Sequence, residues 1–252
     1  EFLPSDKAGM RDLAEQVALP LPDVIERVDA LAEYNPMLGM RGVRLGIAIP
    51  EIYDMQARAI FEAMVAVGQK GIALTVEIMI PLVSAMREVE LLKYRIDGLA
   101  NEVRAKSKTA FDYRPGVMVE TPRAALRAQD IAEHAQFLSF GTNDLTQMTY
   151  GLSRDDAGRF MSSYVQQGVY VEDPFHTLDI EGVGELISLG AARGRVGRPD
   201  VVLSLCGEHG GDRSAIAFCR AQKFDYISCS PFRVPVARLT AAQLALAERV
   251  KS

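Results

Sequence analysis

The sequence predicts an α/β fold of repeated strand–helix units, either an open doubly wound sheet or a (β/α)8 barrel. Three observations predict it. Apolar runs alternate with segments of helical spacing along most of the chain. The runs are apolar almost throughout, as parallel strands covered on both faces are. Polar residues collect where the runs stop. No Gly-x-Gly-x-x-Gly follows any run, which weighs against the dinucleotide-binding version.

The elements follow in order. LPDVIERVDALAEY (21–34) places Leu21, Val24, Ile25, Val28 and Leu31 on one side of a helix. NPMLGMRGVRLGI (35–47), rich in Gly and Arg, is expected to hold a short strand. Pro50 stands where proline is tolerated at a helix start, and that helix runs to about Val67. GIALTVEIMIPLV (71–83) is a buried strand, followed by a long helix from about Ser84 to Lys106. GVMVE (116–120) is a strand, and Pro122 opens the next helix. FLSF (137–140) is a strand with a short helix after it. VVLSLC (201–206) is a strand and GGDRSAIAFCRAQ (210–222) a helix. DYISCS (225–230) is the last strand, and Pro235 opens the last helix. The count is six strand–helix units in one domain spanning residues 1–252.

Composition narrows the function. The 252 residues are 48% hydrophobic and 24% charged, with net charge −5, which is ordinary for a globular domain with a sizeable core. No block of Lys or Arg marks a nucleic-acid partner. No apolar run has membrane-spanning length, and EFLPSDKAGM carries no signal-peptide pattern. Three cysteines without metal-ligand spacing fit a reducing compartment, with the cytoplasm as the expected location.

The candidate chemistry lies at the strand ends. In a parallel α/β fold these face one side, and that side carries the site. Glu120 ends GVMVE. Asn143 and Asp144 follow FLSF. Cys206, Glu208 and His209 follow VVLSL, and Ser228 and Ser230 end the last strand. Two carboxylates on successive strand ends repel unless protonated, paired with arginine or bridged by a cation. Hard oxygen ligands without His or Cys at the same point suit Mg2+ or Mn2+. The plain alternative is that Glu120 caps the Pro122 helix and Asp144 pairs with Arg123. Arg41 and Arg44 flank glycines and are suited to gripping phosphate or carboxylate, or else form surface ion pairs. Cys206, followed by Gly-Glu-His-Gly-Gly, is a nucleophile, an acid/base or a ligand, if it is more than a small apolar residue. Cys219, Cys229, His134 and His176 are expected to be structural.

The segments FLSFGTNDLTQ (137–147), GVMVETPRAA (116–125), NPMLGMRGVRLG (35–46), CGEHGGD (206–212) and SCSPFRVPVARLTAAQ (228–243) together resemble the phosphoenolpyruvate-utilising enzymes. The resemblance is collinear and covers almost the whole chain. It implies a (β/α)8 TIM-type barrel that binds phosphoenolpyruvate or pyruvate at its C-terminal mouth. It implies Mg2+ held by Glu120 and Asp144, and Arg41 gripping the transferring phosphoryl group. Gly141, Thr142, Asn143 and Asp144 contact the substrate. Cys206 is the acid/base at the methyl carbon of pyruvate, with Ser139, His209 and Tyr226 around it. The implied partners are phosphohistidine and nucleotide-binding domains of the same parent chain, and a second copy through the barrel domain. Six units against eight makes the chain a fragment lacking the first two strand–helix units. Each of those would carry another arginine, and EFLP (1–4) matches the stretch after the second.

Overall fold

The computed structural model describes residues 3–33, 35–72 and 74–249. The chain divides into two compact units, Glu1–Arg41 and Gly42–Ser252. Glu1 and Phe2 of the EFLP match lie outside the described residues.

The first unit holds two helices, α1 (Lys7–Val17) and α2 (Leu21–Ala30). Asp6 caps α1, its Oδ1 accepting the Gly9 N–H at 2.7 Å, which satisfies one of the free donors of a helix start. α2 answers the spacing in 21–34 and buries Val24; Tyr34 lies outside the described residues. A 3-10 turn follows at Pro36–Leu38.

The second unit begins with α3 (Val43–Ala48), where a strand was expected within 35–47. The expectation fails for a local reason. Gly42 adopts φ 57, which turns the chain, and the Val43 N–H donates to the Pro81 carbonyl at 2.9 Å. Val43 and Gly46, three residues apart, then share the buried face of a short helix. The remaining elements are α4 (Pro50–Gly68), β1 (Val76–Ile80), α5 (Met86–Ser107), β2 (Tyr113–Val119), α6 (Pro122–Leu126), α7 (Ala128–Ala132), β3 (Phe137–Gly141), α8 (Thr142–Tyr150), α9 (Met161–Gln166), α10 (Val183–Gly197), β4 (Val202–Cys206), α11 (Arg213–Ala221), β5 (Tyr226–Ile227) and α12 (Val234–Arg249). Helices α1, α9 and α10 were not assigned from the sequence. The last strand is shorter than DYISCS suggested, since Ser228–Ser230 leave the sheet before a 3-10 turn at Pro231–Arg233. The helix expected over 210–222 starts only at Arg213, because Asp212 caps it by accepting from the Ala215 N–H.

Among the described residues there are thus five strands, not six, in one all-parallel sheet of order β1-β2-β3-β4-β5. Side chains pointing one way pack under the helices: Val117, Val119, Leu138, Phe140, Leu203 and Leu205 are all fully buried. The long helix α5 adds Val89, Leu92, Ile96, Leu99 and Val103, a helical stripe, to the same core. None of the helices is long and apolar enough to cross a membrane, among the described residues.

The sheet is rolled. Four strand steps at about 4.8 Å would hold the edges of a flat sheet about 19 Å apart. Yet Tyr226 on β5 donates from its hydroxyl to Glu77 Oε2 on β1 at 3.4 Å. Register runs Met118–Ser139–Ser204–Tyr226 across β2 to β5. Continued one residue past the Ile80–Val117 pair, it sets Tyr226 level with Pro81. Its contact is instead with a residue four positions nearer the start of β1. The two side chains reach toward each other across the inner face, so the sheet curls in a barrel-like way.

Candidate active site

Glu120 is the first residue beyond β2. It is 6% exposed, and its Oε1 accepts the Leu82 backbone N–H at 2.7 Å. Leu82 turns that N–H inward by adopting φ 56, a left-handed conformation that disfavours a leucine. The carboxylate therefore faces the strand ends and does not cap the Pro122 helix. Thr121 performs that task, accepting from the Ala124 N–H at 3.1 Å. The close approach of β3 also depends on Gly141. A Cβ there would lie 2.7 Å from Glu120 Oε2 and 3.0 Å from Met118 Sδ.

Asp144 stands in the first turn of α8, directly after β3. Its Oδ1 is buried and has no hydrogen-bond partner. Arg123, the partner the plain alternative required, donates to the Ser84 carbonyl instead. A buried carboxylate oxygen without a donor is costly, and a cation is what such an oxygen takes. No group of three or more His, Cys, Asp or Glu forms a metal cage among the described residues. Two carboxylates fit Mg2+, which usually keeps waters or substrate oxygens as its other ligands. Asn143 Oδ1 accepts the Glu208 N–H at 3.2 Å, linking the ends of β3 and β4. A small cavity of about 280 Å3 opens beside Asn143, Gly207 and Ser228.

Cys206 ends β4 opposite Gly141. Its sulfur lies 3.4 Å from Met118 Sδ. Burial pushes the thiol pKa up, the Ser139 hydroxyl pulls the other way, and Glu120 and Asp144 raise it further. Both carboxylates thus act on one thiol held largely neutral. His209 is fully buried, with Nδ1 2.8 Å from Thr142 Oγ1 and Nε2 3.0 Å from the Pro174 carbonyl. A carbonyl only accepts, so Nε2 carries the proton. Thr142 Oγ1 also lies 3.0 Å from the Cys206 carbonyl, and its single proton serves one of these two acceptors at a time. Burial lowers the His209 pKa and favours the neutral ring. Its place is behind the site, joining Thr142 to the Pro174 carbonyl.

The family model for the PEP-binding domain of PEP-utilising enzymes matches residues 6–246. The chain belongs to the PEP-utilising enzymes. It is 53% identical over 244 residues to the pyruvate, phosphate dikinase of Rhizobium meliloti (strain 1021), covering 96% of this chain and 27% of that protein. Pyruvate, phosphate dikinase 2 of Zea mays is 50% identical over 246 residues (97% and 28%), and the dikinase of Clostridium symbiosum 49% over 247 residues (98% and 28%). The chain therefore spans a little over a quarter of the length of these relatives. A citrate lyase structure from Burkholderia xenovorans LB400 aligns at TM-score 0.40 and 18% identity over 70% of this chain and 55% of that one, too slight a likeness to weigh on the fold.

Within this PEP-binding domain, the second unit brings together Glu120, Ser139, Gly141, Thr142, Asn143, Asp144 and Cys206, with His209 behind them. Tyr226 sits lower on the inner face, at Glu77. Arg41 closes the first unit, where its Nη1 lies 2.9 Å from Met37 Sδ. Sequence reasoning did not find Leu82, which orients Glu120 through its backbone, or Pro174, which fixes His209. It also missed the ion pair of Arg154 with Glu208 at 2.8 Å. No local signal marks the first two. Ser139 and Ser204 did leave a trace: each is a lone polar residue in an apolar strand, two positions before a residue of the site, and so on the same inner face.

Proposed function

We propose that this chain is the phosphoenolpyruvate/pyruvate-binding barrel domain of a pyruvate, phosphate dikinase, and interconverts pyruvate and phosphoenolpyruvate with a phosphohistidine carried elsewhere in the parent chain. The carrying observation is the convergence of Glu120, Asp144 and Cys206 at the ends of three adjacent parallel strands, with one oxygen of Asp144 left without a donor. The parallel order of the five strands and the curl of their sheet support a barrel of which they form part. The motifs GTNDLTQMTYGLSRDD, CGEHGGD and SCSPFRVPVARL favour the dikinase. Phosphoenolpyruvate synthase and the sugar-phosphotransferase enzyme I share GTNDLTQ but differ around the last two.

Glu120 and Asp144 are the residues to hold Mg2+, which when bound supplies positive charge against a developing enolate. Asn143 and the backbone at Gly141 and Thr142 orient the substrate. Cys206, largely buried at the end of β4, gives a proton to C3 of the enolate or takes one from the methyl group. Arg41 offsets charge on the phosphoryl oxygens, since phosphoryl transfer rests mainly on positioning and electrostatics. ATP handling belongs to the nucleotide-binding domain of the parent, and association of two copies to the barrel domain.

Calorimetric titration of the full-length protein with oxalate, a planar dianion resembling the enolate, tests the site. Mg2+-dependent heat that disappears in Glu120→Gln supports it. Absence of binding, or binding indifferent to Mg2+ or to Glu120→Gln, overturns it.

A further inference from the structure

A closed circuit of hydrogen bonds surrounds Asn143. Its first link is the Glu208 N–H, which donates to Asn143 Oδ1 at 3.2 Å. A backbone N–H only donates, so this bond settles which way the side-chain amide faces. The oxygen turns to Glu208, and Nδ2, with two protons, is left for a ligand. Asn143 lines the cavity of about 280 Å3 with Gly207, Ser228 and Arg233, within reach of a molecule held there. Gly207 makes the first link possible. It adopts φ 116 and ψ −174, a conformation essentially reserved for glycine. A Cβ there would collide with Thr142 Oγ1 and lie 3.1 Å from Asn143 Oδ1.

The circuit continues beyond the strand end. The Glu208 carboxylate pairs with Arg154 Nη2 at 2.8 Å, and the Glu208 carbonyl accepts from Arg233 Nη1 at 3.2 Å. The Arg154 N–H donates to Gln147 Oε1 at 3.0 Å. Gln147 is buried and lies one turn after Asn143 on α8. Asn143, Glu208, Arg154 and Gln147 thus form a ring that closes through the helix itself. As a stability device the Arg154–Glu208 pair is poorly placed, since its side chains are 39% and 54% exposed. What sets it apart from other surface pairs is the amide it holds.

We propose that the Arg154–Glu208 pair is a strap that presets Asn143 as a hydrogen-bond donor to the substrate. The proposal rests on Asn143 being a substrate contact. A donor fixed before the substrate arrives needs no reorganisation as negative charge builds on the enolate oxygen. Without the strap the 206–208 segment loosens and the amide is free to turn over. Its oxygen, not its nitrogen, would then face the same charge. Arg154 and Glu208 act through Asn143 and are positioning residues, not catalytic ones.

The experiment is a single-turnover reaction of the full-length protein with phosphoenolpyruvate, quenched at short times to follow pyruvate formation. Arg154→Met and Glu208→Gln should each lower the rate constant about fivefold or more, with the half-saturating phosphoenolpyruvate concentration within about twofold of the parent. The two variants also separate the strap from a charge effect. One deletes a positive charge at the mouth and the other a negative one, so a field acting on an anionic substrate moves them in opposite directions. Loss of the strap moves both the same way. Arg154→Lys, which keeps a cationic partner for Glu208, should retain most of the rate. Thermal melts should coincide with the parent's, because an exposed pair adds little stability. A melt that falls in step with the rate marks a folding defect and overturns the strap. Asn143→Ala separates the two ideas. Unchanged kinetics in Asn143→Ala overturn its contact with the substrate, and the strap with it. A slow Asn143→Ala beside unchanged or oppositely changed Arg154→Met and Glu208→Gln overturns the strap alone.

Discussion

Gly141→Ala probes how tightly the site is built. Gly141 has φ −85 and ψ 98, which alanine adopts readily, so any cost is steric. The new Cβ would lie 2.7 Å from Glu120 Oε2, 3.0 Å from Glu120 Cβ and 3.0 Å from Met118 Sδ. Glu120 cannot simply swing aside, because its Oε1 is held by the Leu82 N–H. Overpacking of this kind costs about 1–3 kcal/mol, while loss of backbone freedom in the unfolded chain returns about 0.4–1. The net expectation is a destabilisation of about 1–2 kcal/mol in urea melts. Displacing the carboxylate by part of an ångström should also weaken Mg2+-dependent oxalate binding by about tenfold to a hundredfold. Gly158→Ala is the control, since nothing lies within 4 Å of its Cβ position. A Gly141→Ala protein as stable as Gly158→Ala, binding oxalate with unchanged Mg2+ dependence, would refute the reasoning.

Other perturbations follow from the same geometry. His209 has its pKa lowered by burial, so it contributes stability that is present above the unfolded value of about 6.5 and lost as pH falls toward the lower folded value. The urea midpoint should therefore drop between about pH 7.5 and 5.5 more steeply in the parent than in His209→Gln, and equal slopes would count against it. Arg220 and Glu248 join α11 to α12 through two hydrogen bonds, but both side chains are exposed. Arg220→Ala should thus cost less than about 1 kcal/mol, and a larger loss by chemical denaturation would show the pair to be more than a surface contact. Among the described residues β1 and β5 are the edges of the sheet, with open backbone groups. Light scattering should show association or poor solubility, whereas a stable soluble monomer would contradict this. The same chain should form no phosphoenolpyruvate from ATP, phosphate and pyruvate, and detectable product would sink the assignment of the donor steps to other domains.

The sequence by itself determined where the strands end and which polar residues stand there. Parallel strands are apolar through their length and polar where they stop, and parallel order puts all those ends on one side. Glu120, Asn143, Asp144 and Cys206 are legible for that reason, as is Pro50 at the head of α4. Where a local signal had two physical uses, the sequence misled. The glycines of 35–47 suggested turns around a strand, but Gly42 starts a helix. Those of α10 look like breakers, yet Gly190 lets the helix approach Phe140, whose ring would lie 2.9 Å from a Cβ. Only the tertiary structure decided what each side chain meets. Leu82 is 38 residues from the Glu120 it orients, Pro174 is 35 from His209, and Glu77 is 149 from Tyr226. Those contacts depend on how far the sheet curls. That is a sum of small twists over five strands and the packing of the helices behind them, and no single segment of the chain encodes it.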